Sequence, residues 1–108
     1  MNNIQGLGED NLDTFMSNEN LIVVFTQETC GACVQIREHL QKLDEKYTIV
    51  LVNPVRCPKS TRFMPIPIDF YPKIALFNRG YFIKELTQLN IIQNKIDTIW
   101  LYLLTLAD

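Results

Sequence analysis

Apolar residues follow two patterns along this chain, unbroken runs and helical stripes. Leu21-Ile22-Val23-Val24-Phe25 with Thr26, and Thr48-Ile49-Val50-Leu51-Val52, are unbroken runs of strand length. Continuity, rather than alternation, predicts strands buried on both faces of a sheet. Between them Cys33, Ile36, Leu40, Leu43 and Tyr47 recur at helical spacing and predict one apolar face over this stretch. Arg37, Glu38, Gln41, Lys42 and Glu45 take the other face, and Lys42 and Lys46 stand near the C-terminal end, where the helix dipole favours cations. Strand, helix and strand make a βαβ unit, with the two strands parallel.

The flanking segments are read in the same way. Residues 1–8 are polar with two glycines and are expected to be a loose lead-in. Asp10 is placed to cap a short helix carrying Asp13 in its first turn and Leu12, Phe15 and Met16 on one face. Asn18-Glu19-Asn20 ends it. Residues 53–71 hold Pro54, Pro58, Pro65 and Pro67, which exclude a long helix but allow a turn or two from Pro58 to Phe63, with Pro58 in the first helical position. Lys73 to Phe77 and Tyr81 to Leu86 predict a hairpin across Asn78-Arg79-Gly80. Ile92, Ile96, Ile99, Leu103 and Leu106, widened by Trp100 and Leu104, predict a closing helix from about Asn90 to Leu106. The whole is an α/β chain, expected to form one domain over residues 1–108 around a mixed sheet of four strands, two in the βαβ unit and two in the hairpin.

Composition narrows the function. The chain has 108 residues, 47% of them hydrophobic, and a net charge of −2 from dispersed charges. There is no basic stripe for nucleic acid and no apolar run long enough to span a bilayer. The first residues lack a basic segment and an apolar core, so no signal peptide is visible and a cytoplasmic location is expected, where thiols stay mostly reduced. Three cysteines cannot all pair within one molecule, which favours a dithiol plus one further thiol over a disulfide scaffold.

The dithiol is Cys30 and Cys33 in Thr29-Cys30-Gly31-Ala32-Cys33, at the junction of strand and helix. Cys-x-x-Cys at such a junction reads as a redox pair. A thiolate at a helix N-terminus is stabilised by free backbone N–H groups and the dipole, so Cys30 is the expected nucleophile, its pKa drawn from roughly 8.5 toward about 7 or below. Cys33, one turn in on the apolar stripe, is the expected resolving thiol, shielded and acting second. Gly31 leaves room for a partner's backbone, and Ala32 restores an N–H that a proline would remove. Glu28 opposes the thiolate if close, and Lys73 favours it if close. A metal site is disfavoured, because His39 lies about 180° around the helix from Cys30. Cys57 is read as an incidental loop thiol, and Trp100 as core.

The element order, with Cys-x-x-Cys after the first long strand and Tyr71-Pro72 before the hairpin, resembles the thioredoxin family over roughly residues 10–107. The resemblance implies the thioredoxin fold, a cis Tyr71–Pro72 bond facing the dithiol, and no cofactor beyond a redox-active Cys30–Cys33 disulfide. It implies a monomeric disulfide reductase for protein partners, with Thr29, Gly31, Ala32, Tyr71 and Pro72 supporting the site. Re-reduction would come from a thioredoxin-reductase-like protein or a low-molecular-weight thiol. The chain departs from the family pattern at Thr29, where Trp is usual, at Ala32, where Pro is usual, and at Tyr71. Val24 and Leu51 stand where a buried Asp and its facing Lys are usual. Glutaredoxins carry Thr-Val-Pro and a Gly-Gly turn, which Phe70-Tyr71-Pro72 and Leu86-Thr87-Gln88-Leu89 do not match, so glutathione specificity is not expected. A dedicated electron donor to a single enzyme fits equally well, and a binding module docking partners at Tyr71-Pro72 is the rival of another class.

Overall fold

The computed structural model describes residues 4–6 and 13–99. Its elements are β1 (Ile4–Gly6), α1 (Asp13–Ser17), β2 (Leu21–Phe25), α2 (Gly31–Gln41), β3 (Thr48–Val52), a 3-10 helix (Pro58–Phe63), β4 (Lys73–Asn78), β5 (Tyr81–Leu86) and α3 (Gln88–Ile92). Helical residues resume at 96–99. The sheet order is β1-β3-β2-β4-β5, with β1, β3 and β2 mutually parallel and β4 and β5 antiparallel to their neighbours.

The central position of β2 explains its sequence. Its five residues are all buried, and they split by parity into two cores. Ile22 and Val24 join Ile36 and Leu40 of α2 on one face. Leu21, Val23 and Phe25 join Phe15, Ala75 and Phe77 on the other. In that second core the Phe15 ring stacks on Phe63 at 4.4 Å and meets Phe77 edge-on at 5.4 Å, which seats the 3-10 helix against the sheet. The hairpin turns through Arg79 at φ 47° and Gly80 at φ 88°. Two consecutive positive φ values match the right-handed twist of the strands.

Four expectations change. The sheet has five strands rather than four, because Ile4–Gly6 within the expected lead-in pairs with Ile49–Leu51 of β3. A three-residue edge strand is too short to announce itself by pattern. The first long helix stops at Gln41, although Leu43 and Tyr47 remain buried. Leu43 N–H donates to the Leu40 carbonyl and Tyr47 N–H to that of Asp44, so a turn delivers both side chains to the core. The closing helix is interrupted at Asn94, whose φ is 53°. It also begins earlier than Asn90, at a Thr87 cap in which Thr87 and Asn90 satisfy each other's backbone N–H groups. Met16, expected to share a buried face with Phe15, is 56% exposed. The expected roles of Asp10, Leu12, Trp100, Leu103, Leu104 and Leu106 lie outside the described residues. Among the described residues no helix is long and apolar enough to cross a membrane.

Candidate active site

β2 ends at the middle of the sheet's C-terminal edge, where Thr26 N–H donates to the Val52 carbonyl at 2.7 Å. The chain then turns through Gln27-Glu28-Thr29 into α2. Cys30 is the N-cap of that helix, with φ −122° and ψ 98°. Its sulfur occupies the place a Ser or Asp oxygen takes in most caps, and Cys33 N–H points to Cys30 Sγ at 3.1 Å. Cys30 and Cys33 form a disulfide, with Cα atoms 5.2 Å apart. Both cysteines are half-buried, so the shielding expected for Cys33 alone is shared between them. The first turn of α2 holds no acidic residue, and the field at the cap is unopposed from within the helix.

The supporting residues are distributed around this cap. Thr29 is exposed, Ala32 is half-buried, and Gly31 is exposed with nothing within 4 Å of where a Cβ would stand. The glycine thus meets no steric demand from inside the molecule. A groove of about 240 Å³ runs beside the disulfide, lined by Cys30, Cys33, Thr26, Glu28, Arg37 and Leu51 among others. Leu51 in that lining pairs in register with Val24 of β2, which is fully buried behind it in the sheet, so apolar residues stand at both positions. Arg37, assigned above to the exposed face, lines this groove as well. Helical side chains lean toward the N-terminus, so Arg37 lies over the turn that carries Cys33, four residues earlier. That spacing was legible in the sequence.

Glu28 does not bear on Cys30 as an isolated charge. It forms an ion pair with Arg56 on the loop after β3. That loop is folded by Asn53, whose side chain accepts from Val55 N–H at 3.0 Å and whose carbonyl accepts from Arg56 and Cys57. Both charges are exposed, and the pair contributes little to stability. Nothing local in the sequence links Glu28 to Arg56. Cys57 is buried in the second core cluster rather than lying in an open loop.

The Tyr71–Pro72 peptide bond is cis and Pro72 is buried. Phe25 of β2 is the register partner of Lys73, which sets Pro72 at the same end of the sheet as Thr26 and the dithiol turn. Tyr71 is half-buried against the second core and lines a separate groove of about 370 Å³ with Pro54, Met64 and Ile68. Phe70, by contrast, is 52% exposed. Lys73 is buried, and its Nζ is held 3.0 Å from Asp69 and 3.0 Å from Glu85. Burial disfavours its charge, but hydrogen bonds to Asp69 and then Glu85 outweigh that and raise its pKa above the usual lysine value. Its charge is committed to these carboxylates. Lys73 and Glu85 share a sheet face only because a register shift between Leu76 and Phe77 changes the parity of the hairpin, so the turn alone does not give this pairing.

The family model for thioredoxin matches residues 4–98. The chain belongs to the thioredoxin family. Among solved structures this thioredoxin-family chain is similar to oxidised thioredoxin from Plasmodium falciparum, at 19% identity and a TM-score of 0.71, covering 90% of this chain and 98% of that one. It is also similar to thioredoxin F from spinach chloroplast, at 13% identity and a TM-score of 0.63, covering 84% and 91%. A mutant thioredoxin from Halobacterium salinarum gives 15% identity, a TM-score of 0.64, and coverage of 84% and 85%. No curated protein sequence matches the chain. At these identities the structural likeness shows the fold, and the chemistry rests on the residues of the site. Among the described residues no cluster of three or more His, Cys, Asp and Glu side chains is placed to hold a metal.

Proposed function

We propose that the chain is a thiol–disulfide oxidoreductase that reduces disulfides in partner proteins. The observation that carries this reading is the Cys30 sulfur at the α2 N-cap, facing the Cys33 N–H at 3.1 Å with no acidic residue in the first turn. In the reduced protein that position stabilises a Cys30 thiolate. The thiolate attacks one sulfur of a substrate disulfide, forming a mixed disulfide and releasing the other sulfur as a thiolate that takes a proton. Cys33, deprotonated, then attacks Cys30 Sγ. The second substrate sulfur leaves and is protonated, and the Cys30–Cys33 disulfide forms. The substrate gains two electrons and two protons, and the dithiol loses them. A thioredoxin-reductase-like protein or a small thiol returns them.

The cis Tyr71–Pro72 segment at the same end of the sheet leaves the Tyr71 backbone available to pair with an extended substrate segment. Neither Val24 nor Leu51 offers a carboxylate to take the Cys33 proton. The proton then passes to solvent entering the open groove, to a groove side chain such as Glu28, or to the partner. The test is turnover of a protein disulfide with a small thiol as reductant. Wild type is expected to turn over, Cys30→Ser to be inactive, and Cys33→Ser to accumulate a mixed disulfide. Equal behaviour of wild type and Cys30→Ser would support a binding module instead.

A further inference from the structure

Lys73 is a buried charge for which the dithiol chemistry has no use. Only 4% of it is exposed. An ammonium at that depth costs several kcal/mol unless it is well paired. Here Nζ lies 3.0 Å from Asp69 Oδ1 in the loop before Pro72 and 3.0 Å from Glu85 Oε2 on β5. It also stands 4.3 Å from the centroid of the Phe70 ring, a cation–π distance. One side chain therefore ties Asp69 and Phe70 to the neighbouring strand, while its own backbone follows Pro72. Asp69 is an exposed residue that has no core to fix it. Ordering such a segment costs conformational entropy, and a segment already ordered costs less to use in binding.

We propose that Lys73 is a positioning residue: its ammonium clasps residues 69–72 to β5 and holds the Tyr71 backbone ready to pair with the extended, disulfide-bearing segment of a protein substrate. This rests on the proposed reductase reading of the site. A small disulfide has no strand to pair, so the clasp acts on protein substrates alone. The clasp leaves the cap at Cys30 untouched, because Lys73 is committed to Asp69 and Glu85.

The test compares Lys73→Met, Lys73→Arg and Asp69→Asn with wild type on insulin and on 2-hydroxyethyl disulfide, together with the dithiol reduction potential. Lys73→Met is expected to raise KM for insulin about tenfold, leaving kcat, the small disulfide and the potential unchanged. Asp69→Asn, at an exposed residue and with Glu85 still paired to Lys73, is expected to give a smaller rise of about threefold, and Lys73→Arg to restore most of the loss. An unchanged KM in both Lys73→Met and Asp69→Asn overturns the proposal. So does an equal loss on both substrates with a shifted potential, which is the signature of general disorder. If wild type reduces neither substrate, the reductase reading fails. The clasp is then decided by amide exchange at Phe70 and Tyr71, where exchange faster in Asp69→Asn than in wild type supports it and unchanged exchange overturns it.

Discussion

At the scale of single residues the site is governed by what surrounds two sulfurs. Cys30 Sγ accepts from Cys33 N–H where other helices use a capping oxygen, and the same geometry that starts the helix tunes the thiol. Arg37 lines the same open groove as Cys30 and Cys33. A cation there favours the thiolate over the thiol. Arg37→Gln is therefore expected to raise the Cys30 thiol pKa by about half a unit, reading as a shift in the thiolate ultraviolet absorbance profile, with Arg37→Lys close to wild type. The effect should shrink as salt is added, because the groove is open to solvent. The Cys-x-x-Cys motif was plain in the sequence. Arg37 is exposed, as its place on the polar face predicts, and it also lines the groove that holds the reactive sulfurs, which polarity alone does not tell.

At the scale of elements, the short α3 depends on its cap. With only five residues from Gln88 to Ile92 it is too short to be stable by propensity. Thr87 Oγ1 accepts from Asn90 N–H at 3.1 Å, and Asn90 Oδ1 accepts from Thr87 N–H at 2.9 Å. The helix is then held by Ile91, buried in the same core as Ile36 and Leu40 of α2. Thr87→Ala is expected to cost about 1 kcal/mol, visible as a lower denaturant midpoint, with disulfide-reducing activity unchanged. The four longer strands and the hairpin turn were legible because apolar runs and a Gly-containing turn have few other solutions. Helix ends were less so. Leu43 and Tyr47 fit a helical stripe, yet reach the core from a turn, since burial constrains where a side chain goes and not how the backbone brings it there.

For the whole molecule, ionisable groups tie distant segments and set the pH range of stability. Burial, then a hydrogen bond donated to Asp97, pushes the Tyr47 phenol well above its usual pKa. Lys73 is also raised, its two carboxylates outweighing the burial that opposes its charge. Both groups hold their protons more tightly in the folded chain, so their contributions are complete below about pH 10 and are lost as pH rises further. Asp97, hydrogen-bonded by Tyr47 and then by Lys46, and Asp69, hydrogen-bonded by Lys73, are held below the usual carboxylate range. Their contributions are present above about pH 3.9 and are lost as pH falls. Denaturant midpoints of the oxidised protein are expected to be flat from about pH 6 to 9, to fall by about pH 11, and to fall again below about pH 4. Removing the phenol in Tyr47→Phe should weaken the alkaline fall.

The sequence by itself determined the order of the main elements, the dithiol and the proline that shares its end of the sheet. Each is written in neighbouring residues: an apolar run, a Cys-x-x-Cys spacing, an X-Pro before a strand. Only the tertiary structure decided which charges meet. Glu28 with Arg56, and Tyr47 with Asp97, join positions far apart in the chain. Lys73 could point inward or outward until strand register and depth placed it between Asp69 and Glu85. The physical reason is one of range. Backbone preference and hydrophobic periodicity act over a few residues, whereas a buried charge is stable only where the whole fold supplies its partners.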